Sequence, residues 1–481
     1  MAAAARRPPV VCRGSEFIVT NTRTSQQGIP RQPTPVNPDQ SSPSPGARGH
    51  IGWIVAGSLT AGLLAAVLLV AAPFIPAEIS ALTGAVLCGY AVGWALLALL
   101  SDRFTDQPQR WAWAPALFMG VGGLLLIAFG SDGDDVLSWV WPPALLTLVV
   151  WMVVRIRRDL RSRAGRWLLY PVVAVLAAAS ITGGYETIRA ATATQYSMPG
   201  DLVQVSGHRL HISCTGSGSP TVILEPGAGG MSSDMGWIAP AVGTQTRVCV
   251  YDRAGRGWSD PADTPQDATQ IAADLHTLLD RANVPGPYVL AGHSFGGLYV
   301  LTFAAHYPGE VAGMVLIDST APASSATSRT ASAGESHEGL RRISAMLAST
   351  ARFGVVRLYA GLASGSLPPR ADDESRAAAS AASLQSTIEE YGRGSASANE
   401  AAEFTDFGDK PLFVLTAGEG SAPDWMADQD KLAALSTNSV HRTVAGAAHA
   451  DLLSEEGPAA TTTQAIQDVV SSVRDGRPLH D

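Results

Sequence analysis

The chain divides by its pattern of apolar and polar positions. Residues 1–49 show no apolar period, and Pro30, Pro33, Pro35, Pro38, Pro43 and Pro45 crowd a stretch of Ser, Gln, Thr and Arg. Such a segment cannot bury a core, so a disordered tail is expected. A secretory signal peptide is not expected, because no apolar stretch of about 7–15 residues follows Arg6 and Arg7. Five apolar runs come next, roughly Ile51–Ala72, Ile79–Leu100, Trp111–Gly130, Val136–Val154 and Trp167–Tyr185, none containing a charged residue. Each is long enough to cross a hydrocarbon core of about 30 Å as a helix. Trp53, Trp111, Trp113, Trp151 and Trp167 lie near run ends, as in an aromatic belt. The pattern predicts a five-span α-helical membrane region over 50–185 and a short polar stalk over 186–199.

From Asp201 the period shortens. Eight β-rich runs bounded by Gly or Pro are predicted as strands: Leu202–Val205, Arg209–Cys214, Thr221–Leu224, Arg247–Tyr251, Tyr288–Ala291, Val311–Ile317, Pro411–Thr416 and Val440–Val444. Helical patterns such as Asp267–Arg281 and Gly297–His306 lie between several of them, which is the signature of a mostly parallel α/β sheet. The first two runs have no helix between them and read as a hairpin. The Ala/Ser-rich stretch Ser319–Asp409 interrupts the alternation and is too long for a plain connection. With helical fragments at Gly339–Thr350 and Arg376–Tyr391, it reads as an inserted helical lid within a domain spanning 200–481.

Composition and charge sharpen this division. The 481 residues are 46% hydrophobic and 16% charged, against about 25% charged in an average soluble protein. Residues 1–200 carry 15 Lys+Arg and 10 Asp+Glu, net +5; residues 201–481 carry 18 and 32, net −14. The acidic half lacks the basic footprint of a nucleic-acid binder. The arginines also set an orientation. The tail holds six, the 101–110 link holds Arg103 and Arg110, and the 155–166 link holds six more, whereas the 73–78 and 131–135 links hold none. The positive-inside rule then predicts a cytoplasmic N-terminus, and five spans leave the C-terminal domain extracytoplasmic, at the plasma membrane. No span carries an ionisable side chain at its centre, so the expected role of the membrane region is anchoring. Gly120, Gly122 and Gly123 offer a surface for close helix packing. Four cysteines are too few for a disulfide scaffold.

The sharpest chemical signal is Gly292-His293-Ser294-Phe295-Gly296, directly after an apolar strand and before a helical pattern. A strand entering a helix through so sharp a turn strains the central serine, and glycines on either side tolerate the crowding. Ser294 is the candidate nucleophile, at a helix N-terminus that favours developing negative charge. Acyl transfer needs donors for the oxyanion. The Phe295 N–H is one, and the Ala228 N–H of the Gly-rich loop Pro226-Gly227-Ala228-Gly229-Gly230 is the other. His449, just past the last predicted strand, is the candidate base. His208, His211, His276, His293, His306, His337, His441 and His480 have structural readings.

These motifs, with Tyr251-Asp252-Arg253-Ala254-Gly255-Arg256-Gly257-Trp258-Ser259-Asp260, Val315-Leu316-Ile317-Asp318 and Ala448-His449, resemble the α/β-hydrolase superfamily over roughly residues 200–478. The resemblance implies an eight-stranded, mostly parallel sheet and a structural role for Asp252. It is to the serine branch, since epoxide hydrolases and haloalkane dehalogenases of this fold have aspartate at the elbow. The acid partner of His449 is open. Ser421 stands where the family most often has aspartate after the seventh strand. Asp318, ending the sixth, is favoured over Glu419 and Asp424. The family's strand order makes the strands of Cys214 and Cys249 neighbours, which implies a disulfide in an outward-facing domain. The expected function is a membrane-anchored serine hydrolase of esters or lipids, a carboxylesterase or lipase, working without metal or organic cofactor. Peptidase or cofactor-free haloperoxidase activity, and an inactive binding or sensing domain, are the alternatives.

Overall fold

The structure, a computed structural model, describes residues 51–193, 197–322, 337–353, 366–378 and 380–480. The expected tail over 1–49 lies outside the described residues. Among the described residues, five helices are long and apolar enough to cross a membrane: α1 (Ile51–Val70), α2 (Ile79–Phe104), α3 (Arg110–Gly130), α4 (Val136–Asp159) and α5 (Arg163–Ala193). The chain turns from α3 into α4 at Gly130, whose φ of +55° is a left-handed conformation that glycine adopts without a Cβ penalty. Trp94, Trp111, Met119, Met152, Ile156 and Leu169 fill the bundle interior, while Leu64, Leu68, Val121 and Leu124 point outward. An apolar outer face is what a lipid solvent selects.

The small residues noted in the sequence are used within the bundle. Gly123 packs against the backbone of Gly84 and against Cys88 on α2, and Gly122 lies under the Trp141 ring. The helix of the fifth run is longer than expected. It absorbs residues 186–193 of the predicted stalk, because the first helix breakers come only at Pro199 and Gly200.

The links sort to two ends. At one end Gln107 Oε1 accepts from the Arg161 N–H at 2.9 Å, and Gln109 Nε2 donates to the Asp159 carbonyl at 3.3 Å. This end therefore gathers the α2–α3 and α4–α5 links, with their arginines. At the other end Glu78 lies beside Gly130, so the α1–α2 and α3–α4 links meet there.

The C-terminal domain is an eight-stranded sheet in the order β1-β2-β4-β3-β5-β6-β7-β8. The strands are β1 (Asp201–Val205), β2 (His208–Thr215), β3 (Thr221–Glu225), β4 (Val248–Tyr251), β5 (Tyr288–His293), β6 (Val311–Ile317), β7 (Leu412–Ala417) and β8 (Ser439–Val444). β2 runs antiparallel to both β1 and β4, and the remaining pairs are parallel. β3, β5 and β7 are buried along their whole length, as expected of parallel strands covered on both faces. Helices α6 (Ala268–Arg281) and α7 (Phe295–His306) cover one face through Ile271, Leu275, Leu298 and Phe303.

The segment between β6 and β7 contributes α8 (His337–Ala348), α9 (Pro369–Ala378), α10 (Ala381–Gly392) and α11 (Gly394–Ala401). The single helix expected over Arg376–Tyr391 is thus two. The Ser380 hydroxyl accepts from the Ser383 N–H at 3.2 Å, and this N-cap starts a new helix. After β7 come α12 (Pro423–Ala433) and, last, α13 (Glu456–Asp475), which covers the second face through Ile466, Val469 and Val470.

Candidate active site

β5 is the central strand, and the turn into α7 carries Ser294 at φ +53°, ψ −123°. A non-glycine residue there is strained and persists only where its surroundings over-determine it. They do so here. The Ser294 N–H donates to the Ile317 carbonyl, and the Ser294 carbonyl accepts from Gly297 and Thr320 N–H groups. A Cβ on Gly296 would stand 2.4 Å from the Glu225 carbonyl oxygen, so β3 and the start of α7 approach closely only because that residue is glycine. The loop after β3 runs directly beside the elbow, with Gly227 against Ser294 and His293. Among the described residues, no hydrogen bond occupies the N–H groups of Phe295 or Ala228, or Ser294 Oγ.

β6 ends at Asp318, itself at φ +42°. Its Oδ2 meets His449 Nδ1 at 2.6 Å, and its Oδ1 accepts from Trp425 Nε1 at 2.7 Å and from the Ala417 N–H at 3.2 Å. Burial would raise this carboxyl, but the three hydrogen bonds outweigh burial and hold it below the ordinary carboxylate range. His449 is half-exposed, its ring tilted against that of His293 at 4.5 Å and edge-on to Trp425. Burial, and next the neighbouring His449, lowers His293 to about 4, so it stays neutral at ordinary pH. Glu419 and Asp424 are exposed, on and just after the β7–α12 link. The structure therefore brings Asp318, not Glu419 or Asp424, to His449.

The loop bearing Ala228 is clamped from below and above. Arg253, after β4, donates through Nη1 to Glu225 at 2.5 Å and to the Pro226 carbonyl at 2.9 Å, and through Nη2 to the Gly227 carbonyl at 2.7 Å. Glu390, from α10, accepts from Arg253 Nε at 2.9 Å and from the Gly229 N–H at 2.7 Å. Glu225, Arg253 and Glu390 are all buried, and the Tyr251 hydroxyl donates to Glu225. Burial pushes Glu225 up to about 7, against the pull of Arg253 and Tyr251. For Glu390 burial acts in the same direction, but Arg253 and Arg256 overcome it and lower the carboxyl.

Sequence reasoning missed Glu390 and Trp425. Neither belongs to a local motif, and only the return of the chain places them at the site. Asp252 is buried, bonded to His211 Nδ1 and to the Ser232 and Trp258 N–H groups, which is a structural role for both side chains. Cys214 and Cys249 are paired residues on β2 and β4, joined as a disulfide.

Comparison with known proteins places this architecture. Residues 220–456 match the family described as the alpha/beta hydrolase fold. An uncharacterised protein of Schizosaccharomyces pombe is 34% identical over 152 residues, 25% of this chain and 28% of that one. An uncharacterised vacuolar membrane protein of Saccharomyces cerevisiae is 35% identical over 74 residues, 15% of this chain and 12% of that one. The chain thus spans well under half the length of the curated relatives it matches. Among solved structures, a thermophilic esterase from Thermogutta terrifontis superposes over 57% of this chain and 99% of its own, at 20% identity and a TM-score of 0.43.

Proposed function

Because residues 220–456 belong to the α/β-hydrolase fold family, we propose that this protein is a membrane-anchored serine hydrolase that cleaves carboxylic esters. The observation that carries the reading is the Asp318–His449 hydrogen bond of 2.6 Å, with His449 packed on His293, the neighbour of a strained Ser294 whose Oγ is unengaged among the described residues. In this reading Ser294 Oγ attacks the ester carbonyl carbon as His449 Nε2 takes its proton. The 2.6 Å bond keeps the Nδ1 proton on the Asp318 side and stabilises the imidazolium. The tetrahedral oxyanion takes the Phe295 and Ala228 N–H groups, which no other hydrogen bond occupies among the described residues. Collapse expels the alcohol, which leaves with the proton from His449. Water, deprotonated by His449, then attacks the acyl-enzyme, and the carboxylate leaves as Ser294 regains its proton. The Ser294–His449 hydrogen bond closes as substrate binds, as is common when catalytic contacts tighten in the Michaelis complex.

The insert over 319–409 serves as the lid, and the domain faces away from the cytoplasm at the plasma membrane. The arginine-rich links support that orientation, since they gather at one end of the bundle and α8 touches the other. A fluorophosphonate probe tests the central claim. It should label the wild type and leave Ser294→Ala unlabelled; well-folded wild type that resists the probe would instead indicate a binding domain.

A further inference from the structure

Helix α8 has two unlike faces. Its inner face is occupied. Ser344 donates to Glu389 on α10 at 2.8 Å, and Leu340 packs on Gly392. Ala345 is buried with Ile75, Ala81, Leu82 and Ala85 at the ends of α1 and α2. Arg342 donates through its two Nη atoms to the Val70 and Ile75 carbonyls, at 2.9 and 2.7 Å. The first satisfies a carbonyl that the end of α1 leaves without an intrahelical partner, and the second a carbonyl of the α1–α2 link.

The other face carries Ile343, Met346 and Leu347, exposed at 47%, 41% and 42%. Their spacing of three and four puts them on one stripe. This stripe is no isolated patch on a soluble surface. Helix α8 itself adjoins the link between α1 and α2, where Phe74 is 75% exposed, and α1 presents Leu64, Val67 and Leu68 outward. Exposed apolar side chains thus occur both on the spans and on a helix of the C-terminal domain that packs against their end.

We propose that α8 lies in the bilayer interface, with Ile343, Met346 and Leu347 seated among lipid chains, and that the site draws a long-chain ester from that leaflet. The route is continuous. α8 is fastened to α10, and α10 carries both Glu390, which holds the Gly229 N–H, and Tyr391, which packs 5.4 Å from the Phe295 ring. The interfacial position of α8 stands on the contacts above. The ester substrate rests additionally on the serine-hydrolase reading.

The experiment keeps the two apart. The full chain, with Cys12 and Cys88 replaced by Ala, is labelled with the fluorophore NBD at Met346→Cys and reconstituted in phosphatidylcholine vesicles containing doxyl-labelled lipid. Emission should be quenched at least twofold more than from the same fluorophore at Gln464→Cys on α13. Equal quenching at the two positions overturns the interfacial position, whether or not the protein is an enzyme. In the second arm, Ile343→Asp/Met346→Asp/Leu347→Asp should lower the ratio of vesicle-embedded diacylglycerol turnover to p-nitrophenyl acetate turnover at least tenfold. An unchanged ratio overturns the lipid route. A wild type that hydrolyses neither ester overturns the hydrolase reading and with it the substrate, while the quenching still decides where α8 lies.

Discussion

Asp318 shows how much a single side chain's surroundings decide. Three donors converge on one buried carboxylate, so it remains ionised and can orient an imidazole. Asp318→Asn should reduce kcat by about 10⁴-fold, the scale of losing the correct tautomer, whereas Glu419→Gln and Asp424→Asn should stay near wild type in a steady-state ester assay. His293 predicts a pH dependence of stability. Its folded pKa, about 4, lies below the ordinary histidine value of about 6.5. On acidification the unfolded chain takes up the proton first. The His293 contribution is therefore present above about pH 6.5 and lost as pH falls towards 4. Melting temperatures across that window should drop for wild type and drop less for His293→Gln. A slope unchanged by the substitution would place the acid sensitivity elsewhere.

At the scale of elements, α10 of the insert and the loop after β3 act as one unit because Glu390 and Arg253 hold them together. Glu390→Gln keeps the shape but removes the charge facing Arg253 and Arg256. The expected result is a fall in kcat on the order of 10- to 100-fold, smaller than the roughly 10²–10³-fold cost of removing an oxyanion donor outright, with KM nearly unchanged. A rise in KM alone would assign Glu390 to substrate binding. The disulfide is an element-scale constraint of another kind. It ties neighbouring strands 35 residues apart in sequence, and such a closure is worth about 2–4 kcal/mol. Cys214→Ala/Cys249→Ala should therefore unfold at a measurably lower temperature, with fluorophosphonate labelling retained below the transition.

For the whole molecule, the division into an apolar bundle and an acidic α/β domain was legible along the chain. Periods and run lengths depend only on local physics. A helix must offer lipid an apolar surface throughout its length, and a buried parallel strand must be apolar on both faces. All eight strands and five spans follow from that, and so do Ser294 and His449, which sit in local motifs. The arginine spacing predicts a sidedness: maleimide labelling of single cysteines at Asp106 and Gln464 in intact cells should reach only Gln464, and labelling of both positions alike would dismiss that orientation. Other features have no local signature. The Trp425 bond to Asp318, the Glu390 clamp and the seating of Arg342 on the end of α1 join residues from 107 to 272 positions apart. The sequence by itself determined which segments are apolar, which turn is strained and where the candidate nucleophile stands. Only the tertiary structure decided which carboxylate meets His449 and which helix meets the membrane region, because partner choice depends on where distant segments return, and no period along a chain encodes that.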